Sequence, residues 1–473
     1  MKKFLLIFFV FSLGAQEVEW KVGGFLKPTV HVSPSSTAST LWPMSGLWAG
    51  GNLSILYEAV VIKLNLEGYA NIAGLGTQLN SFSFKMVEPT DYFWTAASNM
   101  NFGLHLKEAY VEFPLGDVDV RLGKQVFSWG LADGNNPTDI FNPRRLGTRV
   151  TTSLDEQKMG VWAVASTWNL PENLGTISGA WLPLSVSNDL PLSALNQTVF
   201  PGSIIPPIPK QVVVFEELTS WSFLPQDSEG GVRALFYLGP FSTSLSYATV
   251  LDRFPDFDIS TSFVPLPSPG TSTTTYTPKR WRQHRFGWDF TILAEGWDFR
   301  TEGVFVLTAD VKGEDIGKKN PFLNAVLQVS RSYADGLFNA SLSWAPTWVV
   351  HHKTPDDYTL TQDKENVKQF NGFSRGFGQA YPFEQAISGR LAFNLLNETL
   401  KPDALLVYNV MARDYLATLS LNYNLADAIN LKVGANYYGS ARPKDDPERD
   451  YGPFGNVNAN PGDRFYVELR YDF

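Results

Sequence analysis

Cysteine is absent from the 473 residues. That excludes a disulfide framework and lipid attachment through a cysteine. Histidine is scarce, at five. His31, His105, His284, His351 and His352 show no zinc-like spacing, and neighbours such as His351 and His352 point to opposite faces of a strand. No metal and no cofactor is therefore expected. There is no Gly-x-Ser-x-Gly elbow and no phosphate loop. Charged residues make up only 18%. Their balance is acidic, which argues against nucleic acid, a ligand that needs a basic footprint. Also missing, beyond the first residues, is any stretch of roughly 20 apolar residues able to cross a bilayer as a helix. No helical period of useful length and no exact repeat takes its place.

What is present is alternation. Aromatics are 14% of the chain and are spread through short segments of period two. In the last ten residues, Phe465, Val467, Leu469, Tyr471 and Phe473 share one parity, and Arg464, Tyr466, Glu468, Arg470 and Asp472 the other. Alternate strand residues face opposite sides, so this strand has one apolar and one charged face. Strands are predicted near 17–31, 46–57, 59–70, 102–113, 117–127, 158–168, 173–184, 230–239, 240–250, 283–294, 297–308, 321–332, 335–350, 383–397, 402–411, 414–425, 428–440 and 462–473. Short connectors such as 114–117, 238–240 and 334–336 carry Gly, Pro and Asp. Long ones, 71–101, 128–157, 185–229, 251–282, 351–382 and 441–461, alternate with them. The stretch 264–278 has the composition of a flexible loop. Short turns at one end and long loops at the other belong to a transmembrane antiparallel β-barrel. The expected fold is all-β, one barrel of about 18 strands (16–18) over 16–473, with long loops outside and short turns in the periplasm.

The N-terminus supplies an export signal. Lys2 and Lys3 precede the apolar run 4–11 and a small-residue exit ending at Ala15. Residues 1–15 are expected to be removed, leaving 36 basic against 47 acidic residues, a net charge of −11. No plug domain precedes the first predicted strand, which disfavours an energy-coupled transporter. The final strand resembles the closing strand of bacterial outer-membrane barrels, whose insertion signal ends in an aromatic residue. That resemblance implies outer-membrane lipid and the barrel-assembly machinery as partners. Trp288, Trp297, Trp348, Tyr437 and Tyr471 are candidates for the interfacial aromatic girdles.

One stretch, 108–145, is dense in motif-like residues. Glu108-Ala109-Tyr110 is followed by Gly123-Lys124-Gln125, then Trp129-Gly130, Asp133, Asp139 and Asn142-Pro143. The pattern Gly-(Lys/Arg)-Gln-x-x-x-Trp-Gly … Asp-x-x-Asn-Pro resembles a family of large bacterial outer-membrane proteins of unassigned function. The resemblance implies an outer-membrane barrel and a loose association with movement of hydrophobic compounds. Read from the residues alone, Glu108, Tyr110 and Glu112 share a face, as do Arg121 and Gln125 on the next strand. Glu108 and Glu112 are thus expected to meet Arg121 and Gln125 inside the lumen, with Lys124 snorkelling outward. Asp139 is expected to tie the Asn142-Pro143 turn to Arg144 or Arg145. The loop holding them either folds inward as a constriction or pins the rim from outside.

The expected function is a porin-like channel or conduit passing small solutes through a polar lumen, without enzymatic activity. The alternatives are a surface adhesin or structural barrel acting through its loops, and an outer-membrane lipid hydrolase with a Ser/His pair. The oligomeric state is left open.

Overall fold

The computed structural model describes residues 18–32, 45–71, 83–88, 91–97, 100–130, 136–145, 154–188, 211–215, 221–264, 271–315, 317–359, 379, 381–443 and 464–473. The export segment 1–15, Asp133 and most of the 441–461 loop lie outside these residues.

Eighteen antiparallel strands close into a barrel. They are β1 (Val18–Val32), β2 (Gly46–Tyr57), β3 (Val60–Asn71), β4 (Met100–Leu115), β5 (Val118–Gln125), β6 (Val161–Asn169), β7 (Gly175–Leu182), β8 (Glu229–Leu238) and β9 (Phe241–Leu251). They continue as β10 (Arg282–Ala294), β11 (Trp297–Leu307), β12 (Phe322–Tyr333), β13 (Phe338–Val349), β14 (Phe383–Phe393), β15 (Leu400–Asn409), β16 (Asp414–Ala426), β17 (Ile429–Ser440) and β18 (Arg464–Asp472). Each pairs with its neighbours in sequence, and β1 pairs with β18. The last residue completes the seam: Gly24 N–H donates to the Phe473 carbonyl at 2.9 Å, and Phe473 N–H to the Gly24 carbonyl at 3.0 Å. A closed ladder leaves no open edge, so the backbone is satisfied without water.

The two-residue period sorts the side chains. Leu26, Leu64, Leu122, Trp181, Leu245, Phe299, Leu342, Leu419 and Phe465 lie exposed on the outer face. Lys27, His31, Glu67, Asp289, Glu302 and Arg464 are buried on the inner face. An Arg turned toward lipid at the bilayer midplane would cost roughly 2–4 kcal/mol, which fixes this sorting. One irregularity changes the parity locally. A bulge between Asn65 and Leu66 of β3 and the facing stretch of β4 leaves Lys107 without an opposite residue. His105 and Glu108, of opposite parity in sequence, therefore both face inward.

Two expectations need correction. Trp288 lies in the middle of β10, not at a rim; its ring packs over Gly303, where a Cβ would overlap it. The stretch 264–278 is not all loop: Asp256–Val264 and Thr271–Lys279 pair as a hairpin, and Gln211–Phe215 adds in parallel to the second strand. A Thr-rich run has good strand propensity once a partner strand is beside it. A further hairpin, Ser83–Glu88 with Asp91–Ala97, extends the wall beside β4 beyond the end of β5.

Candidate constriction site

The segment after β5 folds into the barrel. Trp129, Ile140 and Phe141 form a buried cluster with Val161 and Ala163 of β6, Leu182 of β7, and Ala248 and Val250 of β9. The small inner-wall residues leave room for the three large side chains; Trp129 meets Phe141 edge-on at 4.8 Å. The described residues of this loop thus pack against the inner wall.

Polar contacts fix the segment along its length. At its base, the Asn142 side-chain oxygen accepts from Phe127 N–H at 2.8 Å, and its amide donates to the Met159 carbonyl at 2.7 Å. At its far side, Glu302 of β11 accepts from the Thr138 N–H at 2.8 Å and hydroxyl at 2.7 Å. Gly130 lies against this carboxylate with φ +94, and a Cβ there would overlap Glu302. Glycine is required here for both the left-handed backbone and the close approach. From the loop after β9, Arg253 donates to the Phe141 carbonyl at 2.8 Å and to the Val186 carbonyl and Glu229, each at 2.5 Å. Arg145 lies 2.8 Å from the His105 ring nitrogen. Farther along, Glu156 accepts from Lys27 of β1 at 2.8 Å.

Asp139 pairs with Lys158 at 3.0 Å and with Arg144 at 3.7 Å. Burial pushes its carboxyl above the usual range, with Lys158 and Arg144 pulling against that. Arg145 is not its partner, because the bulge in β4 has brought His105 inward to meet that guanidinium.

The hairpin of β4 and β5 places the other expected residues. Glu112 and Arg121 sit directly opposite and pair at 2.6 Å. The Arg121 guanidinium also lies 4.6 Å over the Tyr110 ring. Glu108 does not meet Arg121. Its partner is Lys63 of β3, at 2.8 Å, since the register sets Arg121 opposite Glu112, four residues along β4, and Lys63 opposite Tyr110, two residues away. Gln125 does not reach either glutamate; it is fully buried and donates to the Ala163 carbonyl at 3.2 Å. Lys124 does not snorkel into water. It is 1% exposed, and the backbone at Gly160 packs against its side chain. Gly123, with φ +128, lies so close to the Ala109 carbonyl that a Cβ would overlap it. Pro143 accepts from Met159 N–H at 2.9 Å.

The site also draws on residues that the motif did not contain: Lys63, Lys107, Lys158, Arg253 and Glu302. Lys107 pairs with Glu67 at 3.0 Å. Among the described residues there is no cluster of three or more metal-binding side chains.

No known protein-family model and no curated protein matches the sequence. Solved structures do. OccAB4 from Acinetobacter baumannii superposes with a TM-score of 0.50 at 10% identity, over 97% of this chain and 99% of that one. The likeness is one of fold alone. OccAB3 from the same species gives 0.49 at 10% identity, over 96% and 99%. The outer membrane protein opdK from Pseudomonas aeruginosa gives 0.46 at 10%, again over 96% and 99%.

Proposed function

We propose that this chain is a bacterial outer-membrane channel for passive passage of small solutes, with the 126–145 segment as its constriction. The observation that carries the reading is the inward fold of that segment. It covers the inner wall from β5 to β11 while charged side chains elsewhere on the wall keep access to the lumen. Barrels of about 16–18 strands leave an aqueous channel unless plugged. The apolar outer face suits lipid, and the export segment 1–15 and the closing aromatic strand suit the outer membrane.

The reading of the lumen's sign rests on which partner of the wall's ion pairs is more exposed. Lys63 is 36% exposed and its partner Glu108 12%. Arg144 is 26% and Asp139 2%. Arg390 is 50% and Asp403 23%. Lys27 with Glu156, Arg470 with Asp472, Lys318 with Asp315 and Lys401 with Glu398 run the other way. Carboxylates tucked against the wall with cations reaching over them present a net positive potential to solutes. The chain is acidic overall, yet its lumen favours small polar anions over the hydrophobic compounds associated with the motif's family. The test is conductance of the purified protein in planar bilayers. Discrete steps are expected; a folded, inserted protein that never conducts would overturn the proposal in favour of a structural or adhesive barrel.

A further inference from the structure

The outer face of β10 ends in a cation. Its outward residues run Ile292, Phe290, Trp288, Phe286, and then, toward the long-loop end, His284 and Arg282. Ten residues separate Ile292 from Arg282. At about 3.3 Å per residue and a tilt of about 40°, they rise about 25 Å, the height of a barrel's apolar band. Arg282 thus stands where hydrocarbon gives way to headgroups.

Among the described residues, no ion pair neutralises its charge. The guanidinium donates to the Thr249 hydroxyl at 3.1 Å, to the Ser228 carbonyl at 3.1 Å and to the Gln226 carbonyl. All three acceptors are neutral, and among the described residues no carboxylate pairs with it. A guanidinium has five N–H donors, so two remain. The three bonds hold the side chain in place, which lowers the entropy cost of a further contact. Beside it on the same face, the His284 ring nitrogen lies 2.8 Å from the Tyr247 hydroxyl. The segment that supplies the two carbonyls also exposes Phe223 and Leu224. A fixed cation, a neighbouring His–Tyr pair and exposed apolar side chains suit a ligand with both phosphate and acyl chains.

We propose that Arg282, with His284 and Tyr247, holds a phosphate of a phosphorylated glycolipid in the outer leaflet. This rests on the outer-membrane reading. The glycolipid is the source because the site faces outward at the long-loop end, where that lipid meets the outer medium. Arginine is the residue best suited to phosphate, through parallel charge-assisted bonds.

The test is native mass spectrometry of the detergent-solubilised barrel with three probes: diphosphorylated lipid A, dephosphorylated lipid A and phosphatidylglycerol. The parent should retain diphosphorylated lipid A roughly tenfold more tightly than Arg282→Gln does. Arg282→Lys should recover part of the difference, and dephosphorylated lipid A should bind parent and variant alike. Heat-modifiable gel mobility confirms that each variant is folded, and His284→Gln provides a milder second variant. Equal retention by parent and Arg282→Gln, or by the two forms of lipid A, would overturn the site. Retention of phosphatidylglycerol as tight as that of lipid A would overturn the glycolipid assignment. The conductance of Arg282→Gln should match the parent, so loss of lipid binding with intact conduction separates this site from the channel reading. Failure of the parent to insert into bilayers would strike the membrane reading itself.

Discussion

Replacing Glu302 by Ala should loosen the constriction. Its carboxylate accepts two hydrogen bonds from Thr138 and is 1% exposed. Loss of a bond to a charged group costs about 1.5–3 kcal/mol. Two such bonds set an upper range of about 3–6 kcal/mol if the freed Thr138 groups find no other partner. Water from the lumen re-satisfies part of that, leaving roughly 2–3 kcal/mol. The base of the segment stays held by Asn142, Arg253 and the apolar cluster around Phe141, so only the far side lifts. A loss of that size raises the lifted population roughly 30- to 150-fold. Single-channel recording reads this as greater open-channel noise and a larger mean conductance. Glu302→Gln, which keeps an acceptor oxygen, should show less of both. Gly130→Ala should resemble Glu302→Ala, because its methyl enters the carboxylate's space. If both alanine variants fold and their current traces match the parent, the segment does not border the conduction path.

Four further outcomes follow from the same geometry. Arg121→Ala should fold and shift the reversal potential toward cations, less so at high salt because the field is screened; Glu108→Gln should shift it the other way. Deleting Phe473, or replacing it with Asp, should impair assembly, scored by heat-modifiable mobility, because the seam with Gly24 loses its closing residue. A tag inserted within 265–270 should be reachable from outside intact cells, and one at Gly116-Asp117 should not; the reverse pattern would invert the orientation. Asp139 gives a pH dependence. Its folded pKa is raised, so its contribution to docking is full below the ordinary carboxylate value of about 4 and is lost as pH rises through the raised one. Open-channel noise should therefore fall on acidification, and Asp139→Asn should flatten that response.

The strands were legible because a lipid-facing wall enforces period two on every one of them. Val433 and Leu419, exposed on the outer face, or Glu112 and Arg121, paired inside, are readable from parity alone. The departures have local causes. The bulge at Lys107 inverts parity within one strand, so His105 could not be placed inward by counting from Glu108. Lys124 reads as outward, but the chain at Gly160 covers it. The anchors Glu302 and Arg253 lie 164 and 112 residues from the groups they hold. No spacing in the chain encodes such pairs; the barrel's register brings them together. The available signal was an acidic residue on the polar parity of a mid-barrel strand, which Glu302 shares with Asp289. That signal marks a lumen wall without naming the partner.

The most direct measurement is the reversal potential of the purified parent protein in a planar bilayer under a salt gradient. Discrete conductance steps are expected, with a reversal potential of the sign of anion preference that moves toward cations in Arg121→Ala. A cation-preferring parent, or a folded protein that stays silent in the bilayer, would contradict the proposed function.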